Sequence, residues 1–189
     1  MQQTRLRIIK LNNPGSLGFT LVEAVIVVMV IGIIAAVTMS RVLRDDTYNA
    51  FLARDQITSL ARSAQQRAIG RNDVFLEIES VGDNLNMSVS DGSGELQQAT
   101  LSSRSLTLAA DVNVTDSCGT TPGGTTVAGA AVFRLYYDEL GNLLEGGVST
   151  AGGYPITITD AARFCIDNDP TFSICWSDAG FPFVGDCRD

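Results

Sequence analysis

Glu23 is the residue whose type and position most need a chemical explanation. It sits inside "GFTLVEAVIVVMVIGIIAAVTM", Gly18 to Met39, a run apolar enough to cross a membrane. An ionised carboxylate inside hydrocarbon costs about 2.5–3.5 kcal/mol on insertion scales, so such a residue has a partner or a task. No basic residue lies within the run, and the chemistry open to Glu23 is ion pairing with a cation from outside it, in a low-dielectric medium where the attraction is strong. A second set is Cys118, Cys165, Cys175 and Cys187. They include no CxxC pair and the chain has no histidine, which argues against zinc; an even count reads as two disulfides in an oxidising compartment. Three pairings are open, including Cys165 with Cys175 across an Asp169-Pro170 turn. A third set, Asp167, Asn168, Asp169, Asp178 and Asp186, offers oxygen ligands suited by type to calcium, but the spacing fits no EF-hand loop and solvated turn acids are the plainer reading. Asp138 and Glu139 sit at a turn, and no nucleophile has a visible base. Without histidine the commonest general base is missing. No enzyme activity, catalytic residue, metal site or cofactor is expected.

The elements that must position these residues are legible in outline. With 189 residues, 45% hydrophobic, the chain suits one globular head and one anchor. Arg5, Arg7 and Lys10 precede the apolar run, whereas from Asn72 onward four arginines face 17 acids, a formal charge of −13. Such a head does not bind nucleic acid through bulk electrostatics, and the short basic flank places the N-terminus in the cytoplasm and the head across the membrane. Phe19–Met39 holds 21 residues with only Glu23 charged, about 30 Å of helix at 1.5 Å per residue. The next segment, "SRVLRDDTYNAFLARDQITSLARSAQQRAIG", has no proline and ends at Gly70. Its Ala50, Ala53, Ile57, Leu60, Ala61, Ala64 and Ala68 form a stripe of small apolar residues at helical spacing. Together the two segments read as one helix of about 50 residues and about 75 Å. Past Gly70 the period becomes two, in "DVFLEIES" and "NLNMSVS" around a Val81-Gly82-Asp83-Asn84 turn, with further strands in "SLTLAADVNVT", "AVFRLYYD", "YPITITD", "ARFCID" and "TFSICWS". The stretches from Gly119 to Gly129 and from Gly146 to Gly153 read as surface loops.

Gly18-Phe19-Thr20-Leu21-Val22-Glu23, with a basic leader before it and the apolar run after it, closely resembles the type III signal of type IV pilins and type II secretion pseudopilins. The motif covers roughly the first 40 residues, and the head is most similar to minor pilins of the mannose-sensitive haemagglutinin type and the related minor pseudopilin H group. The resemblance implies an α+β fold: a long N-terminal helix, membrane-spanning in its first half, packed by its second half on an antiparallel β-sheet head. Residues 1–18 are then a cleaved leader, 19–40 the transmembrane and polymerisation helix, 41–70 the amphipathic helix, and 71–189 the head with a C-terminal cysteine loop. A prepilin peptidase is implied to cut between Gly18 and Phe19 and methylate the new Phe19 amine. Glu23 then pairs with that amine on a neighbouring subunit. The implied partners are other pilin or pseudopilin subunits, the peptidase, the inner-membrane assembly platform and the membrane itself. The implied location is a single inner-membrane pass with a periplasmic head, and then a pilus or periplasmic pseudopilus. Pilins enclose a C-terminal loop, which suggests Cys175 with Cys187 and Cys118 with Cys165, with Cys165 to Cys175 still open. Ser40 stands where many pilins have a helix-kinking proline. The function so implied is a minor pilin-like structural subunit; the alternatives are a minor pseudopilin and a membrane-tethered adhesive or binding domain.

Overall fold

The stripe of small residues is where the head is assembled. Ala50, Ala53, Ile57, Leu60, Ala61, Ala64 and Ala68 are all fully buried on the helix α2 (Asp45–Ala68). Five of these seven are alanines, which let the helix axis approach a sheet closely, while Ile57 and Leu60 supply the bulk of the contact. The helix stops where the sequence says it should: Gly70 adopts φ +74, a conformation that costs glycine little, and its N–H is captured by the Glu139 carbonyl at 2.9 Å. This computed structural model describes residues 20–42, 45–114, 118, 124–185 and 187, without the side chains of 36–42, 45 and 46. The leader residues Arg5, Arg7 and Lys10, and the junction Gly18-Phe19, lie outside the described residues.

The chain divides into two compact units, 1–43 and 44–189. The first contains α1 (Leu21–Val42). The second contains α2 and eleven strands among the described residues: β1 (Val74–Val81), β2 (Asn84–Asp91), β3 (Gly94–Ser102), β4 (Leu108–Val114), β5 (Thr125–Thr126), β6 (Val132–Tyr137), β7 (Leu143–Val148), β8 (Ile156–Thr157), β9 (Ala161–Ile166), β10 (Ile174–Trp176) and β11 (Pro182–Val184). The strands form two sheets with antiparallel pairings, ordered β3-β2-β1-β6-β7-β8 and β11-β10-β9-β4-β5.

Period-two alternation explains the first sheet. Val74, Leu76 and Ile78 of β1, Leu85, Met87 and Val89 of β2, and Phe133, Leu135 and Tyr137 of β6 are all buried, while the residues between them face the other side of the sheet. The second sheet differs, because all six residues of β9 and all three of β10 are buried. One side of β9 (Ala162, Phe164, Ile166) joins the main core. Phe133 bridges the sheets, its ring 5.6 Å from Phe164 and 6.1 Å from Trp176. Burying each side chain of this size contributes about 1.5–3 kcal/mol.

Two expectations are corrected here. The single long N-terminal helix, spanning a membrane with its first half and packed with its second half on one sheet, is not observed: there are two helices of 22 and 24 residues in different units, and the strands form two sheets. α2 opens on Asp45-Asp46, and aspartate is a residue type that favours helix starts over helix interiors. The second correction concerns location. Among the described residues no helix is long and apolar enough to cross a membrane, which overturns the single inner-membrane pass with a periplasmic head.

Candidate functional site

Glu23 lies in the first turn of α1, and its surroundings are built by Thr20. Thr20 precedes the helix, and its Oγ1 accepts the Glu23 N–H at 3.3 Å while its carbonyl accepts the Ala24 N–H at 3.2 Å. Threonine at the cap with glutamate three residues on is the capping-box pattern, which satisfies amides that the helix itself leaves unpaired. The carboxylate also gains from the positive end of the helix dipole. The T-x-x-E spacing ahead of an apolar run was the sequence signal for this cap, and reading Glu23 only as a charge in search of a cation passes over it.

From Ala24 to Ala35 the described part of α1 is apolar and exposed. Leu21 is 81% exposed, Val28 69% and Ile33 67%, and Val22, Val25, Ile26, Met29, Val30, Ile31 and Ile34 are exposed as well. These positions follow one another around the full circumference of the helix, so between Ala24 and Ala35 α1 has no polar side to turn to water.

The four cysteines are paired as Cys118–Cys165 and Cys175–Cys187, with no free cysteine. Register explains why Cys165 and Cys175 do not meet: Cys175 stands opposite Arg163 on β9, two residues from Cys165. Both half-cystines lie on the side of the second sheet away from the main core. Cys175 packs there with Val114, Ala161, Phe183 and Cys187, so the two bridges fasten chain segments over a face that would otherwise be open.

The carboxylates considered for calcium serve the backbone instead. Asp167 accepts the Thr107 N–H at 2.7 Å, Asp169 accepts the Thr171 N–H at 2.8 Å and Asp178 accepts the Ala179 N–H at 2.8 Å; Asp186 lies outside the described residues. Among the described residues no group of three or more potential ligands is placed to hold a metal ion. Asp138 organises the β6–β7 turn, with Oδ1 accepting the N–H of Leu140 at 2.9 Å and of Asn142 at 2.8 Å, and Oδ2 accepting the Asn142 side-chain amide at 3.0 Å. Burial opposes its ionisation, but the bonds from Asn142, Leu140 and Gly141 outweigh it and hold the carboxyl below its ordinary value. Across the outer side of the first sheet, Arg134 donates to Glu77 from Nε at 2.6 Å and to the Tyr136 hydroxyl at 3.1 Å. This pair joins directly opposed positions on β6 and β1 and holds the sheet.

No family model, curated protein or solved structure matches the chain.

Proposed function

We propose that the chain is a pilin-like structural subunit, a minor pilin of a type IV pilus, released from its leader by a prepilin peptidase and assembled with other pilin or pseudopilin subunits through α1. The observation that carries the reading is α1 itself: exposed apolar side chains on every side, and one carboxylate at the N-terminal turn. A helix of this composition is covered in its working state, since each Å² of apolar surface removed from water contributes about 25 cal/mol. A bundle of like helices from neighbouring subunits supplies the cover. Cleavage between Gly18 and Phe19 creates the amine that neutralises Glu23 inside that bundle, where an opposite charge is worth most.

The discriminating variant is Glu23→Gln in the full-length chain. Glutamine serves in a capping box as glutamate does, so the helix start is kept and only the charge is removed. The expected result is normal loss of residues 1–18 and normal methylation of Phe19 by intact mass, together with fewer sheared filaments and no variant protein in them. Filaments in wild-type number containing the Glu23→Gln protein would overturn the role of the charge, and wild-type protein that keeps residues 1–18 would overturn the reading as a whole.

A further inference from the structure

The two bridges differ in how their cysteines meet solvent. Cys118 and Cys165 are 3% and 1% exposed and Cys175 is 1% exposed, whereas Cys187 is only partly buried. The Cys118–Cys165 bridge is therefore closed at both ends, and the Cys175–Cys187 bridge is closed at one end and open at the other. Thiol–disulfide exchange begins when a thiolate attacks one sulfur of the bridge and the other sulfur leaves. Val114, Ala161 and Phe183 pack around Cys175 and shield it from such an attack. Cys187 is the sulfur a reagent from solvent can reach.

We infer that Cys175–Cys187 is a redox modification site of the folded head, opened by a dithiol of the CxxC oxidoreductase class that attacks Cys187, while Cys118–Cys165 is inert to the same reagent. In the first step a thiolate of the dithiol bonds to the Cys187 Sγ, the bond between the two cysteines breaks, and Cys175 leaves as a thiolate with the electron pair. In the second step the other thiol of the reagent gives its proton to water and displaces Cys187, also as a thiolate, closing the reagent's own disulfide. Two electrons pass from the dithiol to the bridge, and the two protein thiolates take up protons from solvent. The leaving sulfur shares its side of the second sheet with Arg163, which is buried and stands directly opposite Cys175 on β9. A neighbouring guanidinium favours a thiolate.

The head keeps its hairpin when this bridge opens. β11 pairs with β10 through Trp176 with Pro182, Cys175 with Phe183 and Ile174 with Val184. The Ser177 N–H donates to the Phe181 carbonyl at 3.1 Å and the Gly185 N–H to the Ser173 carbonyl at 3.1 Å, and the Ser173 hydroxyl donates to the Gly185 carbonyl at 3.0 Å. None of these bonds passes through the bridge, so opening it releases Cys187 and leaves β11 in register.

The inference does not rest on the filament reading, because it concerns the second unit and is read cysteine by cysteine. The test is incubation of the folded full-length chain with dithiothreitol for graded times, followed by acid quenching, alkylation and peptide mass mapping. Thiols should appear at Cys175 and Cys187 about tenfold or more faster than at Cys118 and Cys165, while amide exchange across β4 and β9 stays at its wild-type rate. A brief exposure to glutathione, a monothiol, should place the mixed disulfide on Cys187 and the free thiol on Cys175. Equal opening rates for the two bridges, earlier opening of Cys118–Cys165, glutathione on Cys175, or loss of exchange protection in β4 and β9 as Cys175–Cys187 opens would each overturn the inference.

Discussion

The carbonyl oxygen of Gly141 occupies the space that a side chain on Gly180 would need. Gly180 also has φ +77, a region where a Cβ is strained in any surroundings. The two loops are locked further by the Leu143 N–H to Asp178 carbonyl bond at 3.0 Å and by the Gln65 side-chain amide to Ala179 carbonyl bond at 2.9 Å. Gly180→Ala therefore combines an unfavourable backbone with a clash against main chain, which cannot rotate away. The expected cost is about 2–4 kcal/mol. Gly152→Ala is the control, because nothing lies within 4 Å of its Cβ, and it should stay within about 0.5 kcal/mol of wild type. Urea unfolding of the two variants checks both values.

Asp138 gives the head an acid-sensitive turn. Its carboxyl is held below the ordinary value, so the native state favours the ionised form more than the unfolded chain does. That contribution is fully present above the unfolded value of about 3.9 and is lost as pH falls through the lower folded value. Asp91 behaves in the same direction, through its bonds from Ser93 and Gly94 and the nearby Arg71. Replacing Asp138 with alanine should lower stability at neutral pH and flatten the decline between about pH 4 and pH 2. Unfolding midpoints measured at pH 7, 4 and 2 read this directly; a decline as steep as that of the wild type would exclude the turn as its source.

The two disulfides differ in the length of chain they close. Cys118 and Cys165 are 47 residues apart and Cys175 and Cys187 are 12 apart. Chain entropy assigns about 4 kcal/mol to the first bridge and about 3 kcal/mol to the second. Replacing Cys118 and Cys165 by alanine together should therefore lower stability more than the same change at Cys175 and Cys187. Equilibrium unfolding of the two double variants ranks them, and the opposite order would show that the cover over the second sheet matters more than loop closure.

The parts of this fold that could be read from the sequence are those with one buried face. β1 and β2 alternate cleanly, and the stripe on α2 recurs at helical spacing, so residue type reports the side on which each residue lies. β3 hides because Leu96 is inserted as a bulge between Glu95 and Gln97, which breaks the period in the middle of a polar strand. β7 was concealed by Gly146 and Gly147, which read as loop residues; Gly146 is needed because a Cβ there would run into the Arg134 carbonyl on the neighbouring strand. β9 and β10 are buried on both faces and carry no alternation, so nothing in their pattern shows that they belong to a second sheet. β11 opens at Pro182 inside the cysteine loop, an edge position where a missing N–H is tolerated. At the N-terminus, Glu23 was legible as an anomaly, while Thr20, the residue that sets its immediate geometry, was legible only through its spacing.

Thr20 and Glu23 can be separated by the group that each contributes. The Thr20 hydroxyl accepts the Glu23 N–H, a main-chain donor, so Thr20→Ala removes the cap and leaves the carboxylate. The loss should cost about 1 kcal/mol, and Thr20→Ser should retain most of it because serine caps at least as well. Glu23→Gln has the opposite effect, keeping a side chain that can complete the box while removing the charge. Hydrogen exchange at the Glu23 amide reads the cap alone: it should quicken about fivefold in Thr20→Ala and change little in Glu23→Gln, the factor following from about 1 kcal/mol of local opening. If the carboxylate acts only by closing the helix end, the alanine variant should show every defect of the glutamine variant in assembly, and more strongly. If it acts by its charge, Glu23→Gln should lose assembly while its first turn stays protected, and Thr20→Ala should assemble with a frayed one. The two variants, scored for exchange and for incorporation into filaments, assign the residue to one role.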